Sequence, residues 1–286
     1  MEGVVDIDGR LTPSDEARIS VFDRGFLYGD SAFEVMRTYG RRPFRQDDHL
    51  RRLERSCERL RIRMPMSREV LAGRVHRAVE HSGLPECYVR LVVTRGVGPM
   101  GLDLTLAHDP SVLIYALPLS TPPDSAYELG IAAGLVHAAR ATDGTAAVGA
   151  KTSNYLGSVL ALEEVRARGC QEAIIVGPQG EVVEGATSNV FVVEAGALST
   201  PPSTAGILEG ITRRTVLELA GELGLPCRER QLSPTDLYKA DEVFITSSVR
   251  EMLPVVRIDE LPVGDGRPGP VFGRILAAYR ARAAGG

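Results

Sequence analysis

"KTSNYLGSVLALEEVRARGCQEAI", residues 151–174, places a lysine immediately before a helix and the helix immediately before a strand. The run reads as helix over 154–168 and strand from 172 to 176. Its first residue is unusual for this chain. Lys plus Arg total 33, and only Lys151 and Lys239 are lysines, so 31 cations are arginines. An amine does two things a guanidinium cannot. It loses its proton near neutral pH when desolvated, and it condenses with a carbonyl to form an imine. A lysine at a helix start is commonly a solvated side chain. The scarcity of lysine and the small-residue approach "VGAKTSN" set Lys151 apart. Lys239, in "DLYKADE", sits among charges and reads as surface.

Working outward, the chain of 286 residues reads as two α/β halves. "VVDIDGRL" is a strand and turn with Asp8-Gly9 at the bend, and "SAFEVMRTYGRRPFR" is two strands around Gly40. "DDHLRRLERSCERLRI" is a helix that Asp47 or Asp48 can cap, with Leu50, Leu53, Cys57 and Leu60 on one face. "SREVLAGRVHRAVEHSG" is a second helix ending at Gly83. "CYVRLVVTRG" and "SVLIYALPL" read as buried strands. "STPPDSAYELG" is rich in turn residues, so the expected organisation is a domain over 1–118, a linker over 119–128 and a domain over 129–286. In the second half, strands are predicted at 172–176, 189–194, 226–230 and 242–247. Helices are predicted at 154–168, 210–223 and 268–282.

Composition excludes some functions. A net charge of −4 offers no basic field for nucleic acid. No apolar run approaches the ~20 residues of a membrane span. "MEGVVDIDGRL" lacks the basic and apolar regions of a secretory signal. Four cysteines (Cys57, Cys87, Cys170 and Cys227) lie far apart, with no CxxC and no histidine at metal spacing. The expectation is a cytoplasmic protein with reduced thiols and no metal.

A Schiff-base lysine serves a carbonyl substrate or pyridoxal phosphate. The phosphate of that cofactor favours backbone N–H groups at a helix N-terminus, the pyridine nitrogen favours an acid, and the ring favours an apolar wall. "GILEGITRRTVLELAGELG" offers the helix start, with Gly210 allowing close approach and Ile211 and Thr212 giving the first free amides. "VVEGATSNVFVV" offers Glu184 at a strand end. Each also reads as an ordinary helix start or turn.

Six segments in order resemble a known family: "FDRGFLYGDSAFEVMRTY", "DHLRRL", "KTSNYLGSVLALEEVRARGCQEAI", "VVEGATSNVFVV", "GILEGITRR" and "ADEVFITSSVREMLPV". From Val21 to about Tyr279 the chain is similar to the class IV, fold-type IV pyridoxal-phosphate enzymes. These comprise branched-chain and D-amino-acid aminotransferases and aminodeoxychorismate lyases. The resemblance implies a smaller N-terminal α/β domain, a larger C-terminal cofactor domain with a β-barrel-like core, and a homodimer or multiple of dimers. It implies that Lys151 is the Schiff-base and catalytic lysine, that Arg52 binds the cofactor phosphate, and that Tyr155 bonds the ring hydroxyl. Glu184 partners the pyridine nitrogen, Leu208 packs on the ring, and Ser188 and Asn189 hold the loop after Glu184. Gly210, Ile211, Thr212, Ser247 and Ser248 receive the phosphate.

For the substrate, the resemblance points to Tyr28, Phe33, Arg90, Val249 and Arg250. "FEVMRTY" resembles the branched-chain "FEGxRxY". The Arg and His that follow "TRG" in the best-known D-amino-acid enzymes are Met100 and Leu102 here. A tyrosine expected after "YALP" in branched-chain enzymes is absent, and Arg250 stands where a small residue is usual. The expectation is ping-pong transamination between a branched-chain L-amino acid and a keto acid such as 2-oxoglutarate. D-amino-acid transamination and pyruvate release from aminodeoxychorismate stand as alternatives. A non-catalytic binding protein has no use for both Lys151 and Glu184.

Overall fold

A computed structural model of the chain describes residues 2–139 and 144–285. It divides into two compact units, Met1–Ser120 with Gly144–Asn154, and Thr121–Asp143 with Tyr155–Gly286. The segment that holds Lys151 therefore packs with the first unit.

The first unit contains β1 (Val4–Ile7), β2 (Arg10–Pro13), α1 (Arg24–Tyr28), β3 (Ser31–Tyr39), β4 (Arg42–Pro43), α2 (Gln46–Arg59), α3 (Arg68–Ser82), β5 (Cys87–Thr94) and β6 (Val112–Pro118). Its six strands run β2-β1-β6-β5-β3-β4. One face of the sheet carries the core. Ala32, Met36, Val89, Leu91, Val93, Val112, Ile114 and Ala116 alternate inward along their strands, as a period of two requires. Leu50, Leu53 and Cys57 of α2 and Leu71, Val75 and Val79 of α3 cover them. The expected helical face over 50–60 is thus the buried one, with Leu60 partly buried.

The start of α2 differs from expectation. Neither Asp47 nor Asp48 caps it. The N-cap is Arg45, in a left-handed conformation with φ 53, and both acids lie in the first turn, where the helix dipole favours them. By contrast, α3 begins at Ser67, which caps Val70 N, and ends on Gly83 at φ 68, a geometry that glycine adopts without cost.

The second unit contains α4 (Asp124–Glu128), β7 (Ile131–His137), α5 (Leu156–Arg166), β8 (Glu172–Val176), β9 (Val182–Gly185), β10 (Asn189–Glu194), β11 (Ala197–Thr200), α6 (Ile211–Glu222), β12 (Cys227–Glu229), α7 (Pro234–Lys239), β13 (Glu242–Ser247), β14 (Glu251–Ile258), β15 (Leu261–Pro262) and α8 (Pro270–Gly285). Its nine-stranded sheet runs β12-β11-β10-β13-β14-β7-β8-β9, with β15 on β14. Leu232, just beyond the β12 edge, bridges Val182 on the opposite edge strand, so the sheet curls back towards itself. Ile131, Ala133, Ile174, Val190, Val192, Val243, Ile245, Leu253 and Val255 fill the inside of the curl. Ala132, Val136, Ala173 and Ile175 face the other way, beneath Ala161 and Val165 of α5. Among the described residues, no helix is long and apolar enough to cross a membrane.

Candidate active site

In the first unit, Lys151 is held by its backbone. Its N–H donates to Ser56 Oγ on α2 at 3.1 Å, and its carbonyl accepts from Phe33 N at 2.9 Å. Thr152 bridges Ala32, and Ser153 meets Ser31 through both backbone and side chain. Three consecutive residues are thus stitched to the start of β3. The Lys151 Nζ lies 4.5 Å from the centre of the Phe33 ring, and the Arg90 guanidinium carbon lies 4.0 Å from that same centre. One aromatic ring therefore serves two cations from different elements.

Behind this ring lies a buried charge cluster. Glu34, fully buried on β3, accepts from Arg52 Nε at 2.7 Å and from Arg52 Nη2 at 2.8 Å. His49 Nδ1 is 2.7 Å from Glu34 Oε2. An ionised carboxylate only accepts, so His49 donates from Nδ1 and carries its basic lone pair on Nε2. Burial pushes the Glu34 carboxyl up. The Arg52 charge and hydrogen bonds, with the His49 bond, overcome that and bring it down to about 2. Burial lowers the His49 pKa, the Glu34 bond opposes this, and the charges of Arg52 and Lys151 lower it further. Tyr28 ends α1, and its hydroxyl accepts from Gly101 N at 3.0 Å, with the Arg24 guanidinium 5.1 Å from its ring.

In the second unit, Glu184 Oε2 accepts from Leu208 N at 3.0 Å and from Asn189 Nδ2 at 3.4 Å. Asn189 also donates to Leu208 O at 2.9 Å. The acid is thereby fixed to both the loop after β9 and the approach to α6. Gly210 is the N-cap of α6 and gives it no side-chain cap, so the helix presents its first amides at Ile211 and Thr212. A Cβ on Gly210 would lie 2.0 Å from Asn189 Oδ1.

A second buried carboxylate holds the neighbouring loops. Glu172, fully buried at the start of β8, accepts from Arg250 Nη2 at 2.7 Å, Ser188 Oγ at 3.0 Å and Thr187 Oγ1 at 3.3 Å. Arg250 also reaches Thr187 Oγ1 at 2.7 Å and donates from Nε to Ser247 Oγ at 3.1 Å. Its charge is thus engaged by a buried acid. Ser248 and Val249 lie half-buried in the turn between β13 and β14, and Tyr155 is the half-buried N-cap of α5.

The structure brings the expected residues into two groups. Lys151, Phe33 and Arg90 meet in the first unit. Glu184, Ser188, Asn189, Leu208, Gly210, Ser247 and Arg250 are linked in the second. Arg52 belongs with Glu34, and Tyr28 with the 96–106 loop. Sequence reasoning missed Glu34, His49, Ser56, Glu172 and Thr187. Glu34 and Glu172 did leave a signal, because each is a carboxylate next to apolar residues in a strand, "SAFEVM" and "EAIIV".

The family model for class IV amino-transferases matches residues 31–258. The chain belongs to the class IV aminotransferases. It is 36% identical over 278 residues to the branched-chain-amino-acid aminotransferase of Escherichia coli K12, covering 95% of this chain and 90% of that one. The crystal structure of the E. coli enzyme superposes with a TM-score of 0.93 at 34% identity, covering 100% of this chain and 96% of that one. A D-alanine aminotransferase from Bacillus licheniformis is 32% identical over 273 residues, covering 96% of this chain and 94% of the relative. A T.th. branched-chain amino acid aminotransferase, solved with N-(5'-phosphopyridoxyl)-L-glutamate, has a TM-score of 0.91 at 30% identity, covering 100% of this chain and 95% of that one. This class IV aminotransferase is thus an enzyme that moves amino groups, and pyridoxal phosphate is its cofactor. Its residues fit that cofactor chemically. They include an amine, an acid anchored by two donors, and an uncapped helix start where even one methyl would displace Asn189.

Proposed function

We propose that the enzyme transfers the amino group of a branched-chain L-amino acid to a keto acid such as 2-oxoglutarate, in two half-reactions at one lysine. The observation that carries this reading is the shared Phe33 ring. It holds the amine that forms an imine and, at 4.0 Å, a cation suited to a substrate carboxylate. The branched-chain relatives support the donor class, and so do Met100 and Leu102 in place of a second cationic trap.

When bound, pyridoxal phosphate supplies an electron sink for charge developing at the substrate α-carbon. Lys151 would hold the cofactor through its amine, and would take the substrate α-proton and return it. Phe33 gives the amine an apolar, aromatic neighbour. Glu184 partners the pyridine nitrogen, held in place by Leu208 N and Asn189. Arg52, the α6 amides of Ile211 and Thr212, Ser247 and Ser248 receive the phosphate. Leu208 packs on the ring, and Tyr155 meets its hydroxyl. Arg90 and Tyr28, with Phe33 and Val249, receive the substrate. Arg250 acts through Glu172 rather than by gripping a second carboxylate.

We further propose a homodimer working in the cytoplasm. Val21, Phe22, Phe26, Val97, Met100 and Leu102 are large apolar side chains at least half exposed on the first unit, a surface that a second copy would cover. All four cysteines are free.

A half-reaction screen tests the donor. Holoenzyme is mixed with single L- or D-amino acids, and the visible absorbance of the cofactor is followed. Fast conversion by L-leucine, L-valine and L-isoleucine is expected. Fast conversion by D-alanine with slow conversion by these would overturn it, as would pyruvate release from aminodeoxychorismate without an acceptor. Light scattering at low concentration tests the dimer, and a fully active 30.8 kDa monomer would refute it.

A further inference from the structure

The helix-free face of the first-unit sheet carries a polar group that the roles above leave unused. Antiparallel pairing sets Val35 opposite Arg90 and Arg90 opposite Tyr115, in one row across β3, β5 and β6. The flanking positions Ala116, Ile114, Val89 and Leu91 point into the core beneath α2 and α3, so Arg90 and Tyr115 point the other way. Directly opposed residues on an antiparallel pair have Cβ atoms about 4.5–5.5 Å apart, within reach of one small anion for side chains of this length.

Neither tip is occupied by protein. Among the described residues, the Arg90 side chain has no carboxylate partner and no hydrogen bond; its contact is the Phe33 ring. Stacked on that ring, the guanidinium keeps its in-plane N–H groups free to fork a carboxylate. The Tyr115 hydroxyl has no hydrogen-bond partner among the described residues either, and it is not sealed from solvent. Burial pushes the Tyr115 phenol up, and the Arg90 charge opposes this while Tyr88 adds to it, so the group stays an O–H donor at neutral pH. A half-buried phenol O–H beside a cation with no acidic partner leaves two donors open to one incoming acceptor.

We propose that Tyr115 is a substrate-binding residue of this aminotransferase, its hydroxyl donating to a substrate carboxylate that Arg90 also holds. The inference rests on the reading of Arg90 as a carboxylate anchor and adds a second anchor beside it, one strand further across the sheet from β3. The carboxylate is either the one on the α-carbon or the distal one of a dicarboxylic partner, and the two are separable by experiment.

The test is Tyr115→Phe, which removes one oxygen and keeps the ring. Holoenzyme of both forms is titrated with 4-methylvaleric acid and with glutaric acid, and KM and kcat are measured for leucine and for glutamate. The expected result is about tenfold weaker binding and a matching rise in KM, with kcat within about twofold. Cofactor affinity, read by titrating stripped enzyme with pyridoxal phosphate, stays unchanged. A loss confined to glutaric acid and glutamate assigns the distal carboxylate, and a loss with all four assigns the α-carboxylate. Unchanged dissociation constants and KM values in an otherwise active enzyme overturn the role of Tyr115 alone. If Arg90→Ala also leaves all these constants unchanged, the underlying reading of Arg90 fails instead.

Discussion

Replacing Glu34 with Gln probes the buried cluster behind the Phe33 ring. In the folded chain the Glu34 carboxyl sits at about 2 against an ordinary 4.5. At about 1.4 kcal/mol per unit, that depression corresponds to about 3 kcal/mol of stability at pH 7. The folded carboxyl is the stronger acid, so this contribution is complete above about 4.5 and is lost as pH falls through about 2. At pH 3 about 1 kcal/mol of it remains. Glutamine keeps the shape and one acceptor for His49, but leaves Arg52, only 4% exposed, as a cation without its carboxylate. Breaking such a pair from one side costs about 3–5 kcal/mol. Urea unfolding followed by circular dichroism, at several pH values for both proteins, measures the difference between them. General acid effects cancel in that difference. The variant should be less stable by about 3–5 kcal/mol at pH 7, and the gap should shrink by about 2 kcal/mol by pH 3. A gap that does not change with pH would show that Glu34 is not held ionised by Arg52. A gap below about 1 kcal/mol at pH 7 would refute the pairing argument altogether.

Lys151→Ala should abolish turnover and remove the borohydride-fixable visible absorbance, while some pyridoxal phosphate still binds through its phosphate; peptide mapping of reduced wild type should find the label on Lys151. Gly210→Ala places a methyl against Asn189 Oδ1 and pulls it from Glu184, so cofactor affinity by equilibrium titration should fall by about tenfold, roughly one 1.4 kcal/mol step. Arg250→Ala strands the buried Glu172 and should cost about 3–5 kcal/mol in urea unfolding. Adding Glu172→Gln should recover much of that loss, and a double variant no more stable than the single one would deny the pairing.

Much of the fold could be read because local patterns and tertiary packing agree. β8, β10 and β13 fall where apolar β-branched runs place them, and α3 begins on Ser67 and ends on Gly83 as its capping residues require. What could not be read depends on contacts distant in sequence. β7 and β14 are parallel neighbours, Val255 beside Ile131, and no local rule announces that pairing. The helix that carries Arg52 starts on a left-handed Arg45 with no side-chain cap, and its acids Asp47 and Asp48 fall in the first turn. The site divides in the same way. Lys151, Glu184 and Gly210 are legible as residue types that suit one chemistry. Their supports are not. Ser56 reaches Lys151 across 95 positions, and Arg250 reaches Glu172 across 78. A carboxylate in an apolar strand signals that a partner exists without saying which arginine it is.

The lysine scarcity that marks Lys151 in the sequence acquires a chemical meaning in the structure. Most buried acids are matched by guanidinium: Asp6 by Arg74 and Arg77, Glu34 by Arg52, Glu172 by Arg250 and Glu251 by Arg280, as is the half-buried Asp30 by Arg24 and Arg95, while Asp23 and Glu242 are held by backbone N–H groups and a hydroxyl. A planar fork suits a carboxylate better than a point charge does, and it stays protonated when buried. An amine in those interior places would have its pKa lowered by burial and become a nucleophile. Beside an aldehyde cofactor, each such amine would be a competing site for imine formation. Arginine fills the pairing roles without that reactivity. Lys239 is exposed at the end of α7, away from the buried acids. The amine over Phe33 is then distinguished twice, by being a lysine and by lying against an aromatic face. On the reading proposed above, composition and geometry leave the carbonyl chemistry to Lys151, and the arginines that hold the first unit together keep competing amines out of its interior.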